Sequence, residues 1–447
     1  MKDKALTLLV EHKFAELRAL LTSINATDLA ALLSEFPESL LTVVFRVLPK
    51  ELASETFVEM DAECQEHLIK AFSDLELKTV LDQLFIDDTV DIIEEMPASL
   101  VKRILKNSDK EKRDVINEVL KYPKNSAGSL MTTEYVSLRR HMTVADAFTR
   151  IRRIGVNKET IYTCYVTDES NILLGIVTAK DLMLASPEDG IESIMETNII
   201  SSNTLDAAED VAHLIEKYDF LAIPITDNEH RLVGIITFDD AMDVIREQTD
   251  DNIMKMAAVA PLEDSYFKTS VLVHARKRIL WLLFLMVSAT LTGIIITEYE
   301  SVLSALLVSF IPMLMSTGGN GGSQSSAIII RCLATEEIKL RDFGKVMFKE
   351  LRIGLIAGVT LAIANAGRLW VLNALYYHVP GGLGKEMIVV GIALIGAVVI
   401  AKLLGCILPM LAKKIKLDPA LFASPIITTL VDAISVFLYF NIAVRVF

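Results

Sequence analysis

One carboxylate stands where a carboxylate is costly. Asp432 lies near the middle of FASPIITTLVDAISVFLYFNIAV, the last of five long apolar stretches, and is the only acidic residue in the interior of any of them. An ionised side chain at that depth costs about 2.5–3.5 kcal/mol on insertion scales, so it is by default functional or paired. Pro425, Thr428, Asp432, Ser435 and Tyr439 follow at spacings of three and four, which places them on one helix face. Arg368 and Lys402, both in apolar stretches, are the basic residues that could neutralise it as a structural pair.

A second polar constellation sits in FIPMLMSTGGNGGSQSSAIIIR, Phe310 to Arg331, whose centre from Ser316 to Ser326 has no apolar side chain larger than a methyl group. Gly318, Gly319, Gly321 and Gly322 predict irregular backbone here. In hydrocarbon each freed amide costs several kcal/mol unless protein or water satisfies it, so the segment is expected to line an aqueous path. Asn320 and Gln324 with the hydroxyls of Ser316, Thr317, Ser323, Ser325 and Ser326 suit hydrogen bonds to water or to a hydrated ion. Small residues are also how membrane helices pack closely, which is the competing reading. One carboxylate is a poor cage for a bare divalent ion, but Mg2+ keeps several waters and is served by one or two carboxylates. A dimer axis would supply two copies of Asp432 and of the polar stripe.

These residues need a membrane domain to position them, and composition provides one. The chain has 447 residues, 52% hydrophobic yet 23% charged, which predicts part membrane and part soluble protein. The charges divide unevenly: from Val271 onward there are 16 Lys and Arg against 9 Asp and Glu, leaving 28 against 49 before it. An acidic head of that kind repels nucleic acid and concentrates cations, within a Debye length of about 8 Å at physiological salt. The apolar stretches near 279–296, 302–330, 353–372, 387–411 and 421–446 each reach the roughly 20 residues that span a bilayer. Arg276, Lys277 and Arg278 precede the first, six Lys and Arg lie between the second and third, and Lys413, Lys414 and Lys416 lie between the fourth and fifth. The alternate loops hold TEYES and YHVPGGLGKE. The positive-inside rule then predicts a multi-pass protein of the inner (plasma) membrane, with the head cytoplasmic and Phe447 outside. Cys64, Cys164, Cys332 and Cys406 have no zinc or disulfide spacing, and the amino terminus reads as an amphipathic helix rather than a signal peptide.

The head has its own organisation. Residues 1–121 show helical periodicity punctuated by Pro37, Pro49 and Pro97, a small superhelical stack. From 122 to 240 an internal repeat appears: YVTDESNILLGIVTAKDLM aligns without a gap on PITDNEHRLVGIITFDDAM, matching Asp168 with Asp227, Gly175 with Gly234, Thr178 with Thr237 and Asp181 with Asp240. Each copy reads as strand, Asp turn, strand, then Thr-x-x-Asp opening a helix, where Thr can cap backbone amides. This resembles a tandem cystathionine-β-synthase (CBS) pair. In CBS families that bind adenine nucleotides the Asp of that phrase meets the ribose, so Asp181 and Asp240 are nucleotide candidates beside the plain capping role. A connecting segment, 241–275, carries a helix from Ala241 to Ala260 with Asp243, Glu247, Asp250 and Asp251 off its apolar face, and 276–447 is the membrane domain.

Taken together, the helical head, the junction YPKNSAGSLMTT, the CBS pair, the connecting helix and five spans resemble the MgtE-type magnesium transporters over nearly the whole chain. Pro312 followed by Gly318, Gly319, Asn320, Gly322 and Gln324 fits the family phrase P-x5-G-G-N-x-G-x-Q, and DPALFASPIITTLVD fits its fifth span. The resemblance implies a multidomain membrane protein: an α-helical amino-terminal domain, α+β CBS domains, a plug helix and an all-α membrane domain with five helices. It also implies a Mg2+-selective homodimer whose pore closes when cytoplasmic Mg2+ fills acidic sites in the head. It makes Asp432 the pore ligand and Asn320 a lining residue, with Gly318, Gly319, Gln324, Thr428 and Ser424 as further pore or ion-binding candidates. It assigns the regulatory acidic surfaces to Asp87, Asp88 and Asp91 on one side and to Asp239, Asp240, Asp243, Glu247, Asp250 and Asp251 on the other, and leaves room for ATP at the CBS pair. This chain carries Ser435 where many members have Gly. The alternatives are a coupled divalent-cation exchanger and a nucleotide-sensing membrane protein that transports nothing. An intramembrane protease is disfavoured, because there is one Asp and no His within a span.

Overall fold

Short helices begin where the sequence supplies caps. In the computed structural model, which describes residues 1–257, 259–260, 269–300, 305–335, 337–379, 382–422 and 424–447, the first 120 residues form ten helices of eight to ten residues. The Asn25 and Asp61 side chains accept the Asp28 and Cys64 amides at 2.9 and 2.8 Å, and Ser73 and Glu76 form a reciprocal capping box. Pro37, Pro49 and Pro97 each stand immediately before a helix. The apolar faces, with Leu17, Leu29, Phe57, Leu68 and Leu77 fully buried, share one continuous core. One of these helices, α1 (Ile86–Glu95), carries Asp87, Asp88 and Asp91.

The two repeats fold alike. Strands β1 (Val136–Arg139), β2 (Thr163–Thr167) and β3 (Leu173–Thr178) make one sheet, and β4 (Ser202–Asn203), β5 (Ala222–Thr226) and β6 (Leu232–Thr237) the other. In each, the first pair is parallel and the second antiparallel. The matched Asp residues do the same work: Asp168 Oδ1 accepts the Ser170 and Ile172 amides, and Asp227 Oδ1 those of Glu229 and Arg231, at 2.8–2.9 Å. Helix α2 (Phe238–Met256) leaves directly from β6, three residues earlier than the sequence reading, and residue 258 at the far end of that reading lies outside the described residues, as do 261–268. The chain divides into two units, Met1–Arg246 and Glu247–Phe447.

In the second unit the long helices are α3 (Val271–Glu300), α4 (Ile311–Ala334), α5 (Phe343–Leu372), α6 (Gly384–Lys414) and α7 (Ser424–Val446). Four of them are long and apolar enough to cross a membrane, and α4, diluted by its Gly and Ser, is of comparable length. Two expectations fail here. The Gly-rich stretch is unbroken α-helix rather than irregular backbone, and the second apolar stretch is a short helix, Ala305–Val308, followed by α4. An intact helix satisfies its own amides, so glycine serves another purpose. The third span also starts at Phe343 rather than near residue 353, which takes Glu350 into its interior.

Candidate functional site

Glycine draws α4 onto α7. A Cβ at Gly319 would stand 2.7 Å from Thr428 Cγ2, one at Gly322 2.7 Å from Ile427 Cγ2, and one at Gly318 2.9 Å from Val431 Cγ1 and 3.0 Å from Ser435 Oγ. Gly318 and Gly319 are therefore buried in a seam rather than exposed along a path. Ser316, Asn320 and Gln324, spaced by four, form the exposed stripe of α4, with Asn320 Nδ2 3.5 Å from Ser316 Oγ. Ser323, next to Gln324, lies 3.5 Å from Thr428 Oγ1 and joins that stripe to the seam.

Asp432 follows Thr428 by one turn on α7 and is half-buried. Its Oδ1 is buried without a hydrogen-bond partner among the described residues. The cations expected as structural partners are engaged elsewhere: Arg368 donates to Asn365 Oδ1 at 2.8 and 3.0 Å, and Lys402 Nζ lies 3.3 Å from Ser325 Oγ. A buried carboxylate oxygen with no donor is unfavourable unless water, a proton or a cation meets it. The Ser424 side chain lies outside the described residues.

A second acidic site forms within the first unit. Asp87 is buried, and burial first, then the charges of Asp240, Asp88 and Glu159, hold its carboxyl well above the usual range. Burial and its acidic neighbours Asp88, Asp240 and Asp239 push Glu159 up to about 8. Asp240 rises to about 6, again chiefly by burial, although the Thr237 hydroxyl donates to it at 2.6 Å. Asp88 is raised by burial as well. Asp91 keeps solvent access at the rim; desolvation by the surrounding protein, then Asp240 and Asp88, raise it to about 7, and water screens part of that repulsion. Glu134 ties the parts together by accepting the Ile86 amide at 3.2 Å and the Thr132 hydroxyl at 2.7 Å. Lys112, nearby, is spent on the carbonyls of Leu81 and Leu84.

Asp87 Oδ1 and Glu159 Oε2 are both buried without a hydrogen-bond partner among the described residues. Like charges crowded in low dielectric favour protonation or a shared cation. Among the described residues no three His, Cys, Asp or Glu converge as a ready-made metal cage. That donor set suits a hydrated Mg2+ touching one or two carboxylates better than a stripped ion. Sequence reasoning missed Glu159 and Glu134, which belong to no motif. Of the remaining predicted residues, Asp239, Asp243, Glu247 and Asp250 are exposed, Asp239 adds its charge to those acting on Glu159 and Asp240, and Asp243 pairs with Arg246 at 3.1 Å. In the second unit Lys255 bridges Asp251 at 3.8 Å and Asp418 at 3.0 Å.

Residues 311–442 match the family model for MgtE, divalent cation transporter; residues 24–125 match the MgtE intracellular N domain, and 127–188 and 191–247 match CBS domains. The magnesium transporter MgtE of Thermus thermophilus is 35% identical over 433 residues, 96% of this chain and 94% of that protein. The chain belongs to the MgtE family of magnesium transporters. The Bacillus subtilis MgtE is 32% identical over 446 residues, 98% of this chain and 96% of that one. Two solved structures resemble the head: the cytosolic domain of the Mg2+ channel MgtE in complex with ATP, and the soluble part of a magnesium transporter. They are 34% and 28% identical, each with a TM-score of 0.52 over 55% of this chain, covering 100% and 97% of their own.

As an MgtE-family protein this is a membrane transporter of Mg2+ and not an enzyme. Ser435 is accommodated because Gly318 faces it, leaving the serine 2% exposed. Of the two nucleotide candidates, Asp181 and Thr178 form a reciprocal capping box with the Asp181 side chain exposed, whereas Asp240 is drawn into the acidic cluster.

Proposed function

We propose that two copies of this chain enclose a Mg2+ path through the membrane, with Asp432 from each copy as its carboxylate and the Ser316, Asn320 and Gln324 stripe as its polar wall. The observation that carries this reading is the buried Asp432 Oδ1 beside the α4 seam, which has no hydrogen-bond partner among the described residues while Arg368 and Lys402 are engaged elsewhere. Two such carboxylates facing one hydrated ion supply charge without demanding its full dehydration. The basic flanks of α3, α4, α5 and α6 favour a cytoplasmic head and an inner-membrane location with Phe447 outside.

The head is the sensor in this reading. Asp87, Asp88, Asp91, Glu159 and Asp240 would hold cytoplasmic Mg2+, which offsets the repulsion that otherwise opposes their approach. Asp239, Asp243, Glu247, Asp250 and Asp251 extend the acidic surface along α2, whose end is tethered by Lys255 to Asp418. ATP, bound by a related cytosolic domain, would here fall to Asp181 rather than Asp240.

Replacing Asp432 by Ala should abolish Mg2+ uptake into liposomes carrying the purified protein while leaving a folded dimer by gel filtration. Uptake at the parental rate would remove Asp432 from the path, and a monomer that transports would remove the dimer.

A further inference from the structure

Two charges buried behind α4 have no role in the account above. Glu350 on α5 and Lys402 on α6 are each 6% exposed, and Ser325 of α4, 1% exposed, stands between them. Lys402 Nζ lies 3.3 Å from Ser325 Oγ, and that hydroxyl donates to Glu350 Oε2 at 2.5 Å. The same ammonium is 3.5 Å from the Gly321 carbonyl. Donor and acceptor roles run in one direction, from ammonium through hydroxyl to carboxylate, so the two buried charges compensate each other through α4.

The backbones are pressed together at the same level. Gly405, three residues beyond Lys402, would carry a Cβ only 2.3 Å from the Gly322 carbonyl, and Gly354, one turn beyond Glu350, one at 3.1 Å from Val399 Cα of α6. The bonded residues also flank the exposed stripe: Gly321 follows Asn320, and Ser325 follows Gln324. Turning α4 about its axis to move Asn320 would therefore carry Gly321 and Ser325 off Lys402 and leave two uncompensated charges.

We propose that Lys402 and Glu350 are positioning residues for transport, a bridged ion pair outside the ion path that fixes the rotation of α4. The orientation of Asn320 and Gln324, and with it discrimination between Mg2+ and a larger divalent ion, depends on that brace. The proposal rests on the reading that the exposed stripe of α4 lines the path.

The test is initial Mg2+ and Ca2+ uptake by the full chain in liposomes. Lys402→Met with Glu350→Gln removes both charges together, so neither is left uncompensated, and should raise the Ca2+ to Mg2+ rate ratio about tenfold. Lys402→Arg keeps the charge and should hold that ratio within about threefold of the parent. If the double variant fails to fold, Ser325→Ala removes only the bridge and should shift the ratio in the same direction. A parental ratio in the double variant, or in Ser325→Ala, overturns the proposal, as does an equal fall for both ions, which would mark a merely structural pair. Asn320→Leu run alongside separates the two failures: if it transports normally, the path assignment itself is wrong; if it loses flux while the double variant keeps its ratio, only the brace is.

Discussion

At the scale of residues, the same letters in one motif have opposite duties. Gly405 and Gly322 let α6 and α4 touch backbone to backbone, whereas a Cβ at Gly321 would meet nothing within 4 Å. Gly405→Ala should therefore destabilise the detergent-solubilised protein by about 1–3 kcal/mol or more, because a carbonyl cannot swing aside as a side chain can. Gly321→Ala should be neutral or stabilising, since alanine gains up to about 1 kcal/mol over glycine inside a helix. Thermal unfolding of the two variants checks both, and equal losses would contradict the packing assignment. Sequence alone identified Asp432, Asn320 and Gln324 as polar groups out of place in a membrane. It misjudged Gly318 and Gly319, since a glycine's neighbour across a helix pair leaves no trace in local spacing. Glu350 escaped for a related reason: placed in a charged loop by hydropathy, it gains its meaning from Ser325 and Lys402, on two other helices.

At the scale of elements, α1 is held against the CBS pair by contacts that its own charges oppose. The carboxyls of Asp87, Asp91, Glu159 and Asp240 sit above their ordinary values in the docked arrangement, to about 7, 8 and 6 for the last three. Raised values mean that docking takes up protons. Without divalent ions, docking is thus fully supported below the ordinary carboxylate range near 4 and is lost as pH rises through about 6 to 8. Dyes placed on the exposed positions Lys110 and Lys180, each replaced by Cys, should show energy transfer that falls between pH 5.5 and 8 in chelator and returns with millimolar Mg2+ at pH 8. Asp87→Asn should hold the transfer higher at pH 8 without metal. A pH-independent signal would mean that these carboxylates do not oppose docking. The elements themselves were largely open to sequence reading, because caps, prolines and the register of the two repeats are local. The docking of α1 was not: only the acidic residues of FIDDTVDIIEE hinted at it, and the partner Glu159 lies in a stretch with no pattern.

At the scale of the whole molecule, the charge imbalance between the head, with 28 basic against 49 acidic residues, and the basic membrane half is what a sensor of cations requires. A ligand shifts an equilibrium only by its differential affinity for the two states, so several weak carboxylate sites acting together give a steeper response than any one of them. Screening by monovalent salt would also relax the repulsion, but it acts over a Debye length of about 8 Å and does not bridge two carboxylates. The two mechanisms separate under matched ionic strength. High Mg2+ should protect α2 from protease and stop uptake, while K+ at equal ionic strength should do neither. Replacing Asp91, Asp243 and Asp250 together by Asn should leave permeation intact and move inhibition to higher Mg2+ or abolish it. Proteolysis and flux measured on the same preparations across a Mg2+ titration decide the matter. If K+ protects as well as Mg2+, or the triple variant closes at the parental Mg2+ concentration, the acidic head is not a divalent sensor built from these residues.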